Sequence, residues 1–187
     1  MSENLGYKSG KMLEDEMLGE PGKESREKYK EYLSLLDQNT KFMDVVRVIE
    51  TCQRRECIEP RKYFSRRLRE EVAAQLNLDI KENPYNVQFY NAVSTVLDYK
   101  FGTDAFLAIK EPNSDFNARI TLDLTTNATK DRHKANVITF FPEGSLDETN
   151  KEEREKLEEI IHHTAELVCE EVAKMKERYF KSDRRAA

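Results

Sequence analysis

The stretch Asp104–Asn127, DAFLAIKEPNSDFNARITLDLTTN, decides how the chain is read. On either side of it apolar residues recur at helical spacing. Within it they alternate: Ala105, Leu107 and Ile109 first, then Ile120, Leu122 and Leu124 beyond the turn former Pro112-Asn113-Ser114-Asp115. Successive side chains of a strand point to opposite faces, so this is a strand, a turn and a strand. If Lys110 stands opposite Asn117, then Ala108 meets Arg119, Phe106 meets Thr121 and Asp104 meets Asp123. That register gathers the aliphatic residues on one face and the two aspartates on the other. A one-residue slip does neither.

Like charges opposed across a sheet are destabilising. Two such carboxylates raise one pKa or hold a divalent cation. Asp104, Asp123 and the backbone carbonyl of Leu124 are hard oxygen donors of the kind that suit Mg or Mn. A cation held there can activate water and stabilise charge on a phosphate in flight. The plain alternative makes Asp104 a loop residue after Gly102 and Asp123 an exposed strand residue.

Outward from the hairpin the pattern is helical. Tyr29, Tyr32, Leu33 and Leu36 share a face, as do Phe42, Val45, Val46, Ile49 and Cys52. Pro60 suits the first turn of a third helix, with Phe64, Leu68, Val72 and Leu76 at steps of four. Asn83-Pro84 predicts another helix to about Tyr99, apolar on two faces and therefore central. After the hairpin a short polar helix over 128–135 leads to a third strand, Asn136–Phe141, stopped by Pro142. A long helix is expected from Thr149 to Phe180, with Thr149 and Glu152 as a capping box. At ~45 Å it outreaches a compact core, so its far end should meet the N-terminal helices or another subunit.

The expected fold is α/β (α+β): a small mixed sheet of three to four strands flanked by helices, with a helical N-terminal region and one long C-terminal helix. Residues 1–22 are expected as a mobile tail and 181–187 as a loose one. Between them a single domain divides into a helical region (23–82), a core (84–142) and the C-terminal helix (146–180).

Among the 187 residues 36% are charged and 38% hydrophobic, with a net charge of −5. The acidic total hides a basic segment: Arg54, Arg55, Arg61, Lys62, Arg66, Arg67 and Arg69. Such a patch is either a solvated face laced with salt bridges or a phosphate-contacting surface. The three cysteines, Cys52, Cys57 and Cys169, lack zinc spacing and read as free thiols, which with the absence of a signal core sets the cytoplasm as the default location. No run reaches the ~20 apolar residues of a membrane span.

A helix, Gly102-Thr103-Asp104 opening a strand, a second strand bearing Asp123, a short polar helix and a further strand together resemble the PD-(D/E)XK nuclease core. The resemblance covers Pro84–Pro142. It implies Asp104 and Asp123 as metal ligands, with Asp98 on the preceding helix as an accessory acid. Its lysine is expected two residues after the second acid, where this chain has Thr125. Lys130 or Lys134 would then have to reach back, orienting water or stabilising the developing anion. The implied activity is a Mg- or Mn-dependent nuclease, or a nuclease-derived protein that binds nucleic acid, DNA before RNA. The competing reading is a non-catalytic helical scaffold, in one version a homodimer through the C-terminal helix. No Gly-rich phosphate loop, nucleophile elbow or useful Cys–His pair supports a small-molecule enzyme.

Overall fold

The computed structural model describes residues 10–33, 39–127, 134–142 and 146–186. Its elements run α1 (Gly10–Met17), α2 (Lys23–Leu33), α3 (Phe42–Cys52), α4 (Tyr63–Gln75), β1 (Val87–Asn91), α5 (Val96–Phe101), β2 (Ala105–Lys110), β3 (Asn117–Thr125), β4 (Val137–Phe140) and α6 (Lys151–Ala186). The strands form one sheet in the order β1-β2-β3-β4. The first three make an antiparallel meander, and β4 joins β3 in parallel. The mixed α/β class with a four-stranded sheet and a long C-terminal helix is the one expected from the sequence.

The hairpin has the expected register: Phe106 stands opposite Thr121, Ala108 opposite Arg119 and Lys110 opposite Asn117. Its aliphatic face is buried. Leu107, Ile109, Ile120, Leu122 and Leu124 pack with Phe64, Leu68 and Val72 of α4 and with Leu157, Ile161, Val168 and Val172 of α6. The opposite face is covered over β1 and β2, where Tyr90, Phe106 and Ala108 meet Tyr29, Val45, Val46 and Ile49 of α2 and α3. The sheet is therefore the middle of three layers.

Several elements differ from expectation. The helix predicted over Pro84–Tyr99 is instead strand β1 and the short α5. Val87, Phe89, Tyr90 and Asn91 are buried on both faces of the sheet, and a doubly buried strand is as apolar all round as a central helix. β1 lies at the sheet edge, yet that edge is closed by side chains and a loop. Arg69 donates to Val87 O (2.7 Å), Phe89 N–H donates to Cys57 O (2.8 Å), and the Gln53 amide bonds both Asn91 N and Asn91 O.

The tail expected over 1–22 holds α1 in its described part. Leu13, Met17 and Leu18 enter the core beside Phe64 and Leu124. Asn91 Nδ2 donates to Leu18 O and Gly19 O, and Ser65 Oγ donates to Met17 O, fixing the chain as it leaves the helix. At the other end α6 continues to Ala186, so the loose tail expected from Lys181 is helical there. Its N-cap is Asn150, whose side chain accepts from Glu152 N (3.0 Å), while the Thr149 hydroxyl turns to Asp147 instead of forming the expected box. The far end of α6 lies against the β2–β3 hairpin. It crosses the hairpin turn, with Lys176 bonding Glu111 and Tyr179 edge-on to Phe116. The expected helix over 128–135 falls mostly outside the described residues. No helix among the described residues is long and apolar enough to cross a membrane.

Candidate functional site

Asp104 is placed by the end of α5. Thr95 caps the start of that helix, its side chain accepting from Leu97 N (3.1 Å). Gly102 ends it in the left-handed region (φ 59), where its N–H reaches Asp98 O and Thr103 N–H reaches Leu97 O. The chain then turns straight into β2. Ala92 N–H bonds Asp104 O, and Asp104 N–H bonds Leu122 O.

Here the expected pairing fails by one residue. The β2–β3 ladder ends at Ala105↔Leu122. Since Asp104, just ahead of β2, also bonds Leu122 O, Asp104 and Ala105 both stand against one residue of β3, the count of a β-bulge. Asp104 therefore does not face Asp123 squarely. Its Oδ2 instead accepts a 2.7 Å hydrogen bond from Leu124 N–H, on the far side of Asp123. Asp123 nevertheless still acts on Asp104 as a like charge.

Both aspartates are deeply buried, Asp104 5% exposed and Asp123 4%. Burial pushes the Asp104 carboxyl up to about 7 against the pull of the Leu124 N–H, and the charges of Glu14, Asp123 and Asp98 add to the rise. Burial also raises Asp98, whose Oδ2 accepts from Ser94 N–H (2.9 Å). Glu14 on α1 is raised by burial and then by Asp98, with Asp123 adding a smaller push. Four carboxyl groups from α1, α5, the entry of β2 and β3 thus share one electrostatic neighbourhood. Glu14 could not be found by reading a polar terminus. The only signal for it is the apolar trio Leu13, Met17 and Leu18 that docks its helix.

The donors are all oxygens. In a strand the C=O of a residue leaves on the same side as its N–H, so the Leu124 carbonyl, like its N–H, is directed toward the β2 side. Among the described residues no three His, Cys, Asp or Glu side chains are gathered to hold one ion.

Of the two expected lysines, only Lys134 is among the described residues, and Lys130 lies outside them. Lys134 sends its amine to Lys100 O (3.2 Å), at the end of α5. Thr125 is buried, with its hydroxyl accepting from Asn127 N–H (3.1 Å). A cation that does act on Glu14 and Asp98 is Lys11 of α1.

The basic segment divides. Arg69 is buried and holds Val87 O and Pro84 O, each at 2.7 Å. Arg67 forks onto Glu158 of α6 through two 3.1 Å bonds and onto Glu70. Neither is placed for phosphate contact. Arg54, Arg55, Arg61, Lys62 and Arg66 remain exposed. Lys62 lies against Gly19, five residues after Glu14, so α1 and the turn after it run from the carboxylates to this patch.

Comparison of the chain with protein-family models, curated proteins and solved structures finds no match.

Proposed function

We propose that this chain is a divalent-metal-dependent nuclease, or a nuclease-derived nucleic-acid-binding protein, of the PD-(D/E)XK kind. The observation that carries the reading is a buried Asp104 at the bulged entry of β2, bonded to Leu124 N–H and surrounded by the charges of Asp123, Asp98 and Glu14. Burying that much like charge is costly unless something positive neutralises it. Asp104, Asp123 and the Leu124 carbonyl would hold Mg or Mn, leaving other positions to water. When bound, the ion supplies Lewis acidity and a water of lowered pKa. Asp98 and Glu14 add negative potential behind it. The exposed Arg54, Arg55, Arg61, Lys62 and Arg66 supply sequence-independent phosphate contact, DNA before RNA.

The test is incubation with plasmid, linear duplex, single-stranded DNA and RNA in Mn²⁺ or Mg²⁺. Cleavage by the wild type that Asp104→Asn and Asp123→Asn both abolish is the expected result. Salt-dependent binding without cleavage selects the nuclease-derived binder. Absence of both overturns the reading.

The alternative is a non-catalytic helical scaffold. It is favoured by the internal use of Arg67 and Arg69 and by the Lys134 amine resting on Lys100 O. A dimer by sedimentation, with no affinity for nucleic acid at low salt, would select it.

A further inference from the structure

A second site stands apart from the carboxylates. Between α2, α3 and the turn Val93–Thr95 the structure leaves a cavity of about 250 Å³. Its walls are apolar: Ile49 and Val93 are buried in full or nearly so, and Tyr29, Cys52 and Leu33 complete them. Three of the polar groups that line it are already used. Ser25 Oγ donates to Cys52 O, Gln53 is committed to Asn91, and Thr95 Oγ donates to Ala92 O. The interior therefore offers contact area and no hydrogen bonds to spare from these three. A smaller apolar cavity, about 150 Å³, is enough to hold benzene.

The mouth differs from the interior. Arg26 and Lys30, one helical turn apart on α2, stand at the rim with Glu20. Arg26 and Glu20 pair with each other. Among the described residues Lys30 has no ion-pair partner, and it adds a positive charge to the rim of an apolar chamber.

We infer that this cavity binds a small monocarboxylate with a ring-sized apolar body, its head on Lys30 and its body against Tyr29, Ile49, Cys52 and Val93. The site does not depend on the nuclease reading, because none of these residues belongs to the carboxylate cluster.

The probes are 2-naphthoate and its uncharged counterpart 2-naphthylmethanol, titrated calorimetrically into the full chain. Saturable one-to-one binding of naphthoate, tighter than that of the alcohol, is expected. Lys30→Glu, an exposed change, should weaken naphthoate about tenfold and leave the alcohol unchanged. Cys52→Met lengthens a side chain that lines the chamber and should weaken both. No saturable binding, or equal affinity for the two probes, overturns the inference. So does naphthoate binding that Lys30→Glu leaves intact, whether or not the Cys52 variant folds.

Discussion

The Asp104 carboxylate accepts a 2.7 Å hydrogen bond from the Leu124 N–H across the open end of the β2–β3 ladder. This bond ties the entry of a central strand to its neighbour just where the ladder has stopped. It also fixes how the protein should respond to pH. With its carboxyl raised to about 7, folded Asp104 keeps a proton that the unfolded chain has lost above about 4. The unfolded state then binds fewer protons, so stability falls as pH rises from about 4 to about 7. Asp104→Asn keeps an acceptor for Leu124 N–H and removes the charge. It should be the more stable protein at pH 8, by on the order of 1–3 kcal/mol, and show a flatter slope across that window. Urea denaturation at pH 5 and pH 8 reads both, and a wild type that gains stability over this range contradicts the environment described.

The same carboxylate makes the cation testable without cleavage. If Asp104 and Asp123 hold Mn²⁺, adding it at pH 8 should raise the wild-type melting temperature in a concentration-dependent way. Asp104→Asn and Asp123→Asn should abolish the rise. An equal shift in all three proteins would place the ion elsewhere.

Arginines of the basic segment should separate into two kinds. Arg69→Ala leaves the carbonyls of Val87 and Pro84 without their donor inside the fold, and should cost about 2–4 kcal/mol. Arg69→Lys should recover little, because an ammonium cannot reproduce the planar fork. Arg61→Ala and Arg66→Ala, both exposed, should change stability by no more than about 0.5 kcal/mol. If the patch meets phosphates, each should lower the salt slope of nucleic-acid binding by about one. Denaturation and fluorescence-anisotropy titrations at several salt concentrations measure the two effects separately.

The hairpin was legible because its information is local. Alternation at period two fixes which residues share a face, and that parity together with the position of the turn fixes the register from Phe106↔Thr121 to Lys110↔Asn117. The bulge at Asp104 was not, since it depends on bonds to Ala92 and Leu122 that no spacing announces. β1 was misread because burial on both faces erases the period that separates strand from helix. Arg69 and Arg66 sit three residues apart on one helix. Only the position of the β1 edge makes the first structural and leaves the second in solvent. α1 was invisible for the same reason: its partners, Ser65 and Asn91, are 48 and 73 residues from the groups they bond. Glu14 went unseen with it.

The docking of α1 is itself open to test. Leu13 is 2% exposed, beside Met17 and Phe64 in the main core, whereas Met12 is 53% exposed. Leu13→Ala should cost about 2–4 kcal/mol, and Met12→Ala close to nothing. Because the helix carries Glu14 toward Asp98 and Asp123, loosening it should also lower the Asp104 midpoint seen by carboxyl-selective NMR. A stability loss with no movement of that midpoint would separate the helix from the site.

Between the two helices α4 and α6, His162 meets Glu71 at 2.8 Å, with Glu166 at 3.5 Å from its other nitrogen. The bond to Glu71 raises the imidazole above the ordinary histidine value, while Gln75 and then His162 lower the Glu71 carboxyl. The signs fix the window. The histidine half of the latch is fully present below about 6.5, the unfolded histidine pKa, and is lost as pH rises through the folded value. The carboxylate half is present above about 4.5 and is lost as pH falls through its depressed value. The latch is therefore strongest between those limits. A proton NMR titration should show the His162 midpoint above that of a free histidine, and Glu71→Gln should bring it down toward that value. Thermal melts of Glu71→Gln and wild type should differ more at pH 5.5 than at pH 8.5. A difference that grows with pH would mean the pair acts by packing and not by charge.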